Sequence, residues 1–237
     1  MIEHNGKRYM FIDTAGIRRQ ASIRNSGAPL ESLGVQRTLK VLERTDVALF
    51  VLDVKKGITS QDKHLAGVLC DSGVSVIIVV NKWDLVEDKT PNMINKVEDY
   101  IRKLIPHLKY APMVFVSALN GQRTNTLFKT IDMVFDHRFI HLTDADLKQF
   151  MARAIMKHRP SKGKGVKHPK ILYFVQEKTN PPRFLLKVNL SRKDSLADSY
   201  LRFLENILRE QYDFFGTPIR IRVVTSQKTH TTYAELG

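Results

Sequence analysis

The stretch Val74–Val80, six Val or Ile residues interrupted only by Ser75, constrains this 237-residue chain more than any other. A strand wetted on one face alternates apolar with polar residues; this one does not, so it is predicted to lie buried on both faces. It is also too short to cross a bilayer, and Asn81, Lys82 and Asp84 end it abruptly. Similar Val-, Ile- and Phe-rich runs occur at Arg8–Ile12, Val47–Asp53 and Met113–Val116. Between them lie Glu31–Arg44, Ser60–Ser72, Pro91–Ile105 and Thr124–Arg138, with apolar residues three or four apart, the spacing of helices with one buried face. Doubly buried strands alternating with such helices predict a parallel sheet covered on both sides. Asn5-Gly6 between two short flanking strands predicts a hairpin, so the sheet is expected to be entered partway through.

The pattern changes near residue 140. A helix is predicted over Asp144–Lys157, with Leu147, Phe150, Met151, Ala154 and Ile155 on one face. Two strands (Ile171–Gln176 and Phe184–Asn189), a helix (Ser195–Tyr212) and a last strand (Pro218–Val224) complete an α-β-β-α-β unit. Two domains are therefore expected, 1–138 and 139–237, with a polar tail from Ser226.

Charge separates the two halves. Lys and Arg number 38 against 24 Asp and Glu, a net charge of +14. Residues 1–138 carry +5, and residues 139–237 carry +9 on a shorter stretch. Six Lys or Arg and no acid fall between Lys157 and Lys170: Lys157, Arg159, Lys162, Lys164, Lys167 and Lys170. Two readings stand for this glycine- and proline-containing loop, a contact for the phosphates of RNA or a solvated loop that keeps the protein soluble. Tyr173, Phe174 and Phe184 lie in predicted strands and read as core residues. The single Cys70 excludes an internal disulfide, and no signal-peptide core or membrane span is present, which predicts a cytoplasmic protein with no membrane partner.

Three apolar strands end in polar motifs. Phe11-Ile12 runs into Asp13-Thr14-Ala15-Gly16, where the carboxylate can hold hydrated magnesium and glycine lets a backbone N–H approach a phosphate. Val79-Val80 runs into Asn81-Lys82-Trp83-Asp84. Guanine presents two adjacent donors on its Watson–Crick edge, which one carboxylate, Asp84, can accept together; adenine lacks the pair. Asn81 can bond the base or tie neighbouring loops, the Lys82 stem can lie over the purine, and Trp83 reads as a packing residue within the tetrad. Phe115-Val116 runs into Ser117-Ala118-Leu119, where a backbone N–H can reach the guanine carbonyl.

In this order, the three motifs resemble those of translation-factor-related GTPases. DTAGIRRQ at 13–20, GITSQDKHLAG at 57–67 and VVNKWDLV at 79–86 resemble the second GTPase domain of the Der (EngA) family. Pro181-Pro182-Arg183-Phe184, Asp198–Arg202 and Gly216–Ile221 are similar to that family's C-terminal KH-like domain. The resemblance implies an α/β fold, a parallel-sheet P-loop GTPase domain truncated at its N-terminus and then a smaller α-β-β-α-β KH-like domain. It implies GTP or GDP with Mg2+ as ligands, Asp13 at the metal, and Asp13–Ile17, Asn81–Asp84 and Ser117–Leu119 around the nucleotide. It further implies action in assembly of the large ribosomal subunit, with ribosomal RNA as partner, in bacterial cytoplasm or the stroma or matrix of a bacterium-derived organelle.

The chain departs from the family in having no G-x-x-x-x-G-K-[ST], the loop that cradles phosphates, so it is expected to be inactive alone. Ile17 stands where many GTPases carry a water-orienting Gln, so the catalytic residue is unassigned, and a monovalent cation near the phosphate loop is the candidate aid to hydrolysis. Gly163-Lys164-Gly165 is not the G-x-x-G of RNA-gripping KH domains. A non-catalytic ribosomal-RNA-binding module that keeps only the GTPase scaffold is the alternative. A dinucleotide oxidoreductase is disfavoured by the lack of G-x-G-x-x-G after a strand.

Overall fold

The structure, a computed structural model, describes residues 1–13, 39–87, 90–160, 169–189 and 196–225. Packing divides the chain into two units, Met1–His137 with Phe215–Pro218, and Arg138–Phe214 with Ile219–Gly237.

In the first unit, β1 (Ile2–His4) and β2 (Lys7–Tyr9) pair antiparallel, Ile2 opposite Tyr9. Asn5 (φ 49°) and Gly6 (φ 75°) both adopt the left-handed conformation that a tight hairpin turn requires. Next, β3 (Val47–Asp53), β4 (Ser75–Asn81) and β5 (Met113–Phe115) form a parallel sheet in the order β3-β4-β5. Parallel neighbours need long crossovers, and helices supply them: α1 (Ser60–Ser72), α2 (Pro91–Leu104) and, after β5, α3 (Thr124–Asp136). Thr59 caps α1 by accepting from the Asp62 N–H, while the Asp62 carboxylate accepts from the Thr59 N–H.

Both faces of the sheet are covered, which explains why β4 does not alternate. Val76, Ile78 and Val80 join Phe50, Leu52, Ala66, Leu69 and Ile101 in one core. Ile77 and Val79 join Val114, Val116 and Val134 in another. The hairpin is held on α3: Lys7 and the Tyr9 hydroxyl each donate to Asp132 at 2.9 Å, and His4 stacks on Phe128 with ring centroids 4.1 Å apart. Among the described residues β3 pairs with β4 alone. Beside its other edge lies a cavity of about 840 Å³ whose lining includes Tyr9, Phe11, Leu42, Val47, Phe50 and Leu69.

Residues 215–218, which the sequence places in the second domain, pack in the first unit. The Gly216 carbonyl accepts from the Val76 N–H at 3.0 Å, and the buried hydroxyls of Thr217 and Ser75 lie 3.1 Å apart. These contacts join residues more than a hundred positions apart in the chain, so no local pattern reveals them.

The second unit is α4 (Asp144–Lys157), β6 (Ile171–Lys178), β7 (Arg183–Val188), α5 (Asp198–Tyr212) and β8 (Arg220–Thr225). The sheet order is β6-β7-β8, β6 antiparallel and β8 parallel to β7. Its core joins Leu147, Phe150 and Ala154 of α4 and Tyr200, Leu204 and Leu208 of α5 to Phe174, Phe184, Leu186 and Val188. Phe174 and Phe184 are thus core residues as predicted, but Tyr173 is 42% exposed. A register shift between Ile171 and Tyr173 accompanies this placement on the opposite side of the strand from Phe174.

The Tyr200 hydroxyl is buried without a hydrogen-bond partner, and burial pushes its pKa up to about 12. Leaving a buried polar group unsatisfied costs about 1–3 kcal/mol. Tyr200→Phe is therefore expected to stabilise the protein by about 1 kcal/mol, read as a higher urea midpoint with an unchanged slope. A lower midpoint would show that this hydroxyl contributes a bond in solution.

Candidate functional site

The carboxyl ends of β3, β4 and β5 converge. Asp53 is the register partner of Asn81, and Val80 that of Phe115. Backbone bonds continue past the strand ends: Val54 N–H to Asn81 O (3.2 Å), Trp83 N–H to Val116 O (3.0 Å) and Val116 N–H to Val80 O (2.9 Å). In parallel α/β sheets this end is where ligands bind.

Lys82 adopts a left-handed backbone (φ 63°), which costs a residue with a side chain about 1–2 kcal/mol and turns the chain from β4 into the 3-10 turn Trp83–Leu85. Asn81 secures that turn. Its Oδ1 accepts the N–H of Lys82 at 2.7 Å and of Ala118 at 3.0 Å, joining the N-K-W-D and S-A-L loops through one side chain. Of the two roles open to Asn81, tying loops is therefore the one its contacts serve.

Trp83 is fully buried, its ring edge-on to Phe115 at 4.7 Å. Its side chain packs beneath the loop, the packing position read for it within the tetrad. Asp84 is half-buried, and its Oδ1 is shielded from solvent without a hydrogen-bond partner. An unsatisfied carboxylate oxygen is costly in a folded protein unless something arrives to donate to it. Ser117 is buried, Ala118 is exposed, and Leu119 is 89% exposed at the loop tip.

Asp53 is a member of this site that sequence reasoning missed. Its carboxylate lies 2.8 Å from Lys82 Nζ and accepts the Lys55 N–H at 3.0 Å. The signal was there in outline: Val47–Asp53 ends in a carboxylate at the same sheet end. The hydrogen bond from Lys82 holds the Asp53 carboxyl below its ordinary value of 3.8. A depressed carboxyl pKa means the pair is intact at neutral pH and is lost only as pH falls through that lowered value. Asp53→Asn is accordingly expected to loosen the Lys82 turn and lower the urea midpoint slightly at neutral pH, while the contribution of this pair in the wild type stays flat between about pH 5 and 8. Urea unfolding of both proteins across that range checks it.

Asp13 is exposed just beyond β2; Thr14, Ala15, Gly16 and Ile17 lie outside the described residues. Of the basic set in the second unit, Lys157, Arg159 and Lys170 are exposed, Lys157 lying 3.8 Å from Glu210; Lys162, Lys164 and Lys167 lie outside the described residues. Among the described residues no cluster of His, Cys, Asp and Glu could hold a metal ion, and no helix is long and apolar enough to cross a membrane.

Known proteins match both units. Residues 35–137 match the elongation factor Tu GTP-binding domain, and residues 141–223 match the C-terminal KH-domain-like module of EngA bacterial GTPase enzymes. GTPase Der of Pelotomaculum thermopropionicum is 40% identical over 218 residues, which is 92% of this chain and 48% of that protein. GTPase Der of Fusobacterium nucleatum is 39% identical over 221 residues, 93% of this chain and 49% of that protein. The chain thus spans about half the length of these curated relatives. A crystal structure of Era in complex with MgGDPNP and 16S ribosomal RNA nucleotides is 20% identical with a TM-score of 0.38, covering 84% of this chain and 72% of that one, a likeness too distant to bear on the site. With an EngA module matched in its second unit and this identity over nearly its whole length, the chain is similar to part of the Der (EngA) proteins.

Proposed function

We propose that the first unit binds guanine nucleotide, GTP or GDP with Mg2+, and that the protein acts as part of a Der-type GTPase in assembly of the large ribosomal subunit. The observation that carries the nucleotide reading is the unpartnered, buried Oδ1 of Asp84 beside two loops locked together by Asn81. That carboxylate would accept the two donors of guanine, the Lys82 stem would cover one purine face, and the Ser117–Leu119 loop would close the base edge. Asp13 would serve magnesium, which neutralises phosphate charge when bound. In the second unit, the basic residues from Lys157 to Lys170 would contact ribosomal RNA phosphates.

The test is an amide-shift titration of the 237-residue chain with guanosine and adenosine diphosphates at millimolar concentration. Guanosine diphosphate is expected to move the Asn81, Asp84 and Ala118 signals, and adenosine diphosphate to leave them in place. Failure of both to move them would contradict the nucleotide reading and favour an RNA-binding module that keeps only the scaffold.

A further inference from the structure

The sheet of the second unit has two unlike faces. One carries Phe174, Phe184, Leu186 and Val188 into the core beneath α4 and α5. Period-2 alternation sends the intervening residues to the other face. There Tyr173 faces Lys187 across the β6–β7 pair, Leu185 faces Arg222 across β7–β8, and Arg183 faces Arg220. Tyr173 is 42% exposed, and the Lys187 ammonium stands 5.4 Å from its ring centroid. Arg183 and Arg220 are exposed, and the Arg222 guanidinium pairs with Glu177 of β6.

This face therefore combines an exposed aromatic ring, an apolar strip at Leu185 and the cations Arg183, Lys187, Arg220 and Arg222, the last paired with Glu177. An exposed ring flanked by a cation can stack with a planar base, and cations in register on neighbouring strands can follow a chain of phosphates. A duplex fits less well, because its bases are already stacked and its contacts are with backbone. We propose that the outer face of β6-β7-β8 is a platform for single-stranded RNA, with one base stacked on Tyr173 and phosphates met by Arg183, Lys187 and Arg220. This deepens the RNA reading of the second unit, and rests on it for the ligand class, but places the main contact, including a stacked base, on the sheet and not on the Lys157–Lys170 loop.

The experiment uses the full 237-residue chain and a fluorescent oligouridylate of about eight nucleotides, within the usual site size for such platforms. Tyr173→Leu, which keeps an apolar strand residue, is expected to weaken binding about tenfold, and Tyr173→Phe to bind like wild type. Wild type should bind an abasic oligomer of the same length weaker by a similar factor, and on that oligomer Tyr173→Leu should cost nothing more. Arg183→Ser with Arg220→Ser should make the salt dependence shallower by about 1.4 in log–log slope, about 0.7 for each phosphate no longer neutralised. Equal binding of the abasic oligomer by wild type would overturn the proposal, as would competition by polyglutamate as effective as by RNA. If oligouridylate binding falls only with Lys162, Lys164 and Lys167 replaced by Ala, the loop reading stands and the platform fails. If wild type binds no RNA, both fail.

Discussion

Gly216→Ala is expected to destabilise the first unit by roughly 3 kcal/mol. Gly216 has φ +65°, where a side chain costs about 1–2 kcal/mol, and its added Cβ would meet both methyls of Val134 and stand 3.1 Å from Pro112 Cδ. Val134 is wholly buried between α3 and the sheet, so it cannot swing aside, and overpacking adds about 1–3 kcal/mol. The neighbouring bonds, Gly216 O to Val76 N–H and Thr217 to Ser75, would be pulled from register at the same time. Urea unfolding checks the expectation; a change below about 0.5 kcal/mol, the size of an ordinary surface substitution, would contradict this packing of residues 215–218.

Asp84→Ala carries the second large effect, and it separates binding from stability. Two charge-assisted bonds to the base would disappear, and the guanine donors would be left facing an apolar wall. The expected loss is about 3 kcal/mol, or roughly 100-fold in guanine affinity, with discrimination against adenine largely abolished. Stability should move the other way. Asp84 Oδ1 has no hydrogen-bond partner in the free protein, so removing it relieves a desolvated charge, and the urea midpoint should hold or rise. A variant that lost affinity only because it unfolded would show a lower midpoint.

The legible parts of the fold are those whose cause is local. Val74–Val80 announces a doubly buried strand because its own residues leave no polar face, and Asn5-Gly6 announces its turn because both positions need left-handed geometry. The Asp144–Lys157 helix is readable to the residue, its Thr143–Asp146 capping box marking the start. Asn81 and Asp84 are readable for the same reason, as parts of a polar tetrad closing an apolar run. What escapes is non-local. Asp53 reaches Lys82 only because β3 and β4 are parallel and in register. Gly216 meets Val134 only after the chain has traversed the second unit and returned. Tyr173 is misplaced by its sequence because Ile171–Val175 is continuously apolar, so nothing in the run itself shows which residues face the core.

The central claim is that Asp84 reads the guanine edge, and one exchange tests it most directly. Xanthine replaces the exocyclic amino donor of guanine with a carbonyl acceptor, which an amide N–H can satisfy and a carboxylate cannot. Trp83 is the only tryptophan and lies directly beneath the tetrad, so its fluorescence can report occupancy. Guanosine and xanthosine diphosphates should be titrated against wild type and Asp84→Asn in parallel. Wild type is predicted to prefer guanosine diphosphate, and Asp84→Asn to prefer xanthosine diphosphate. The same preference in both proteins would contradict the account.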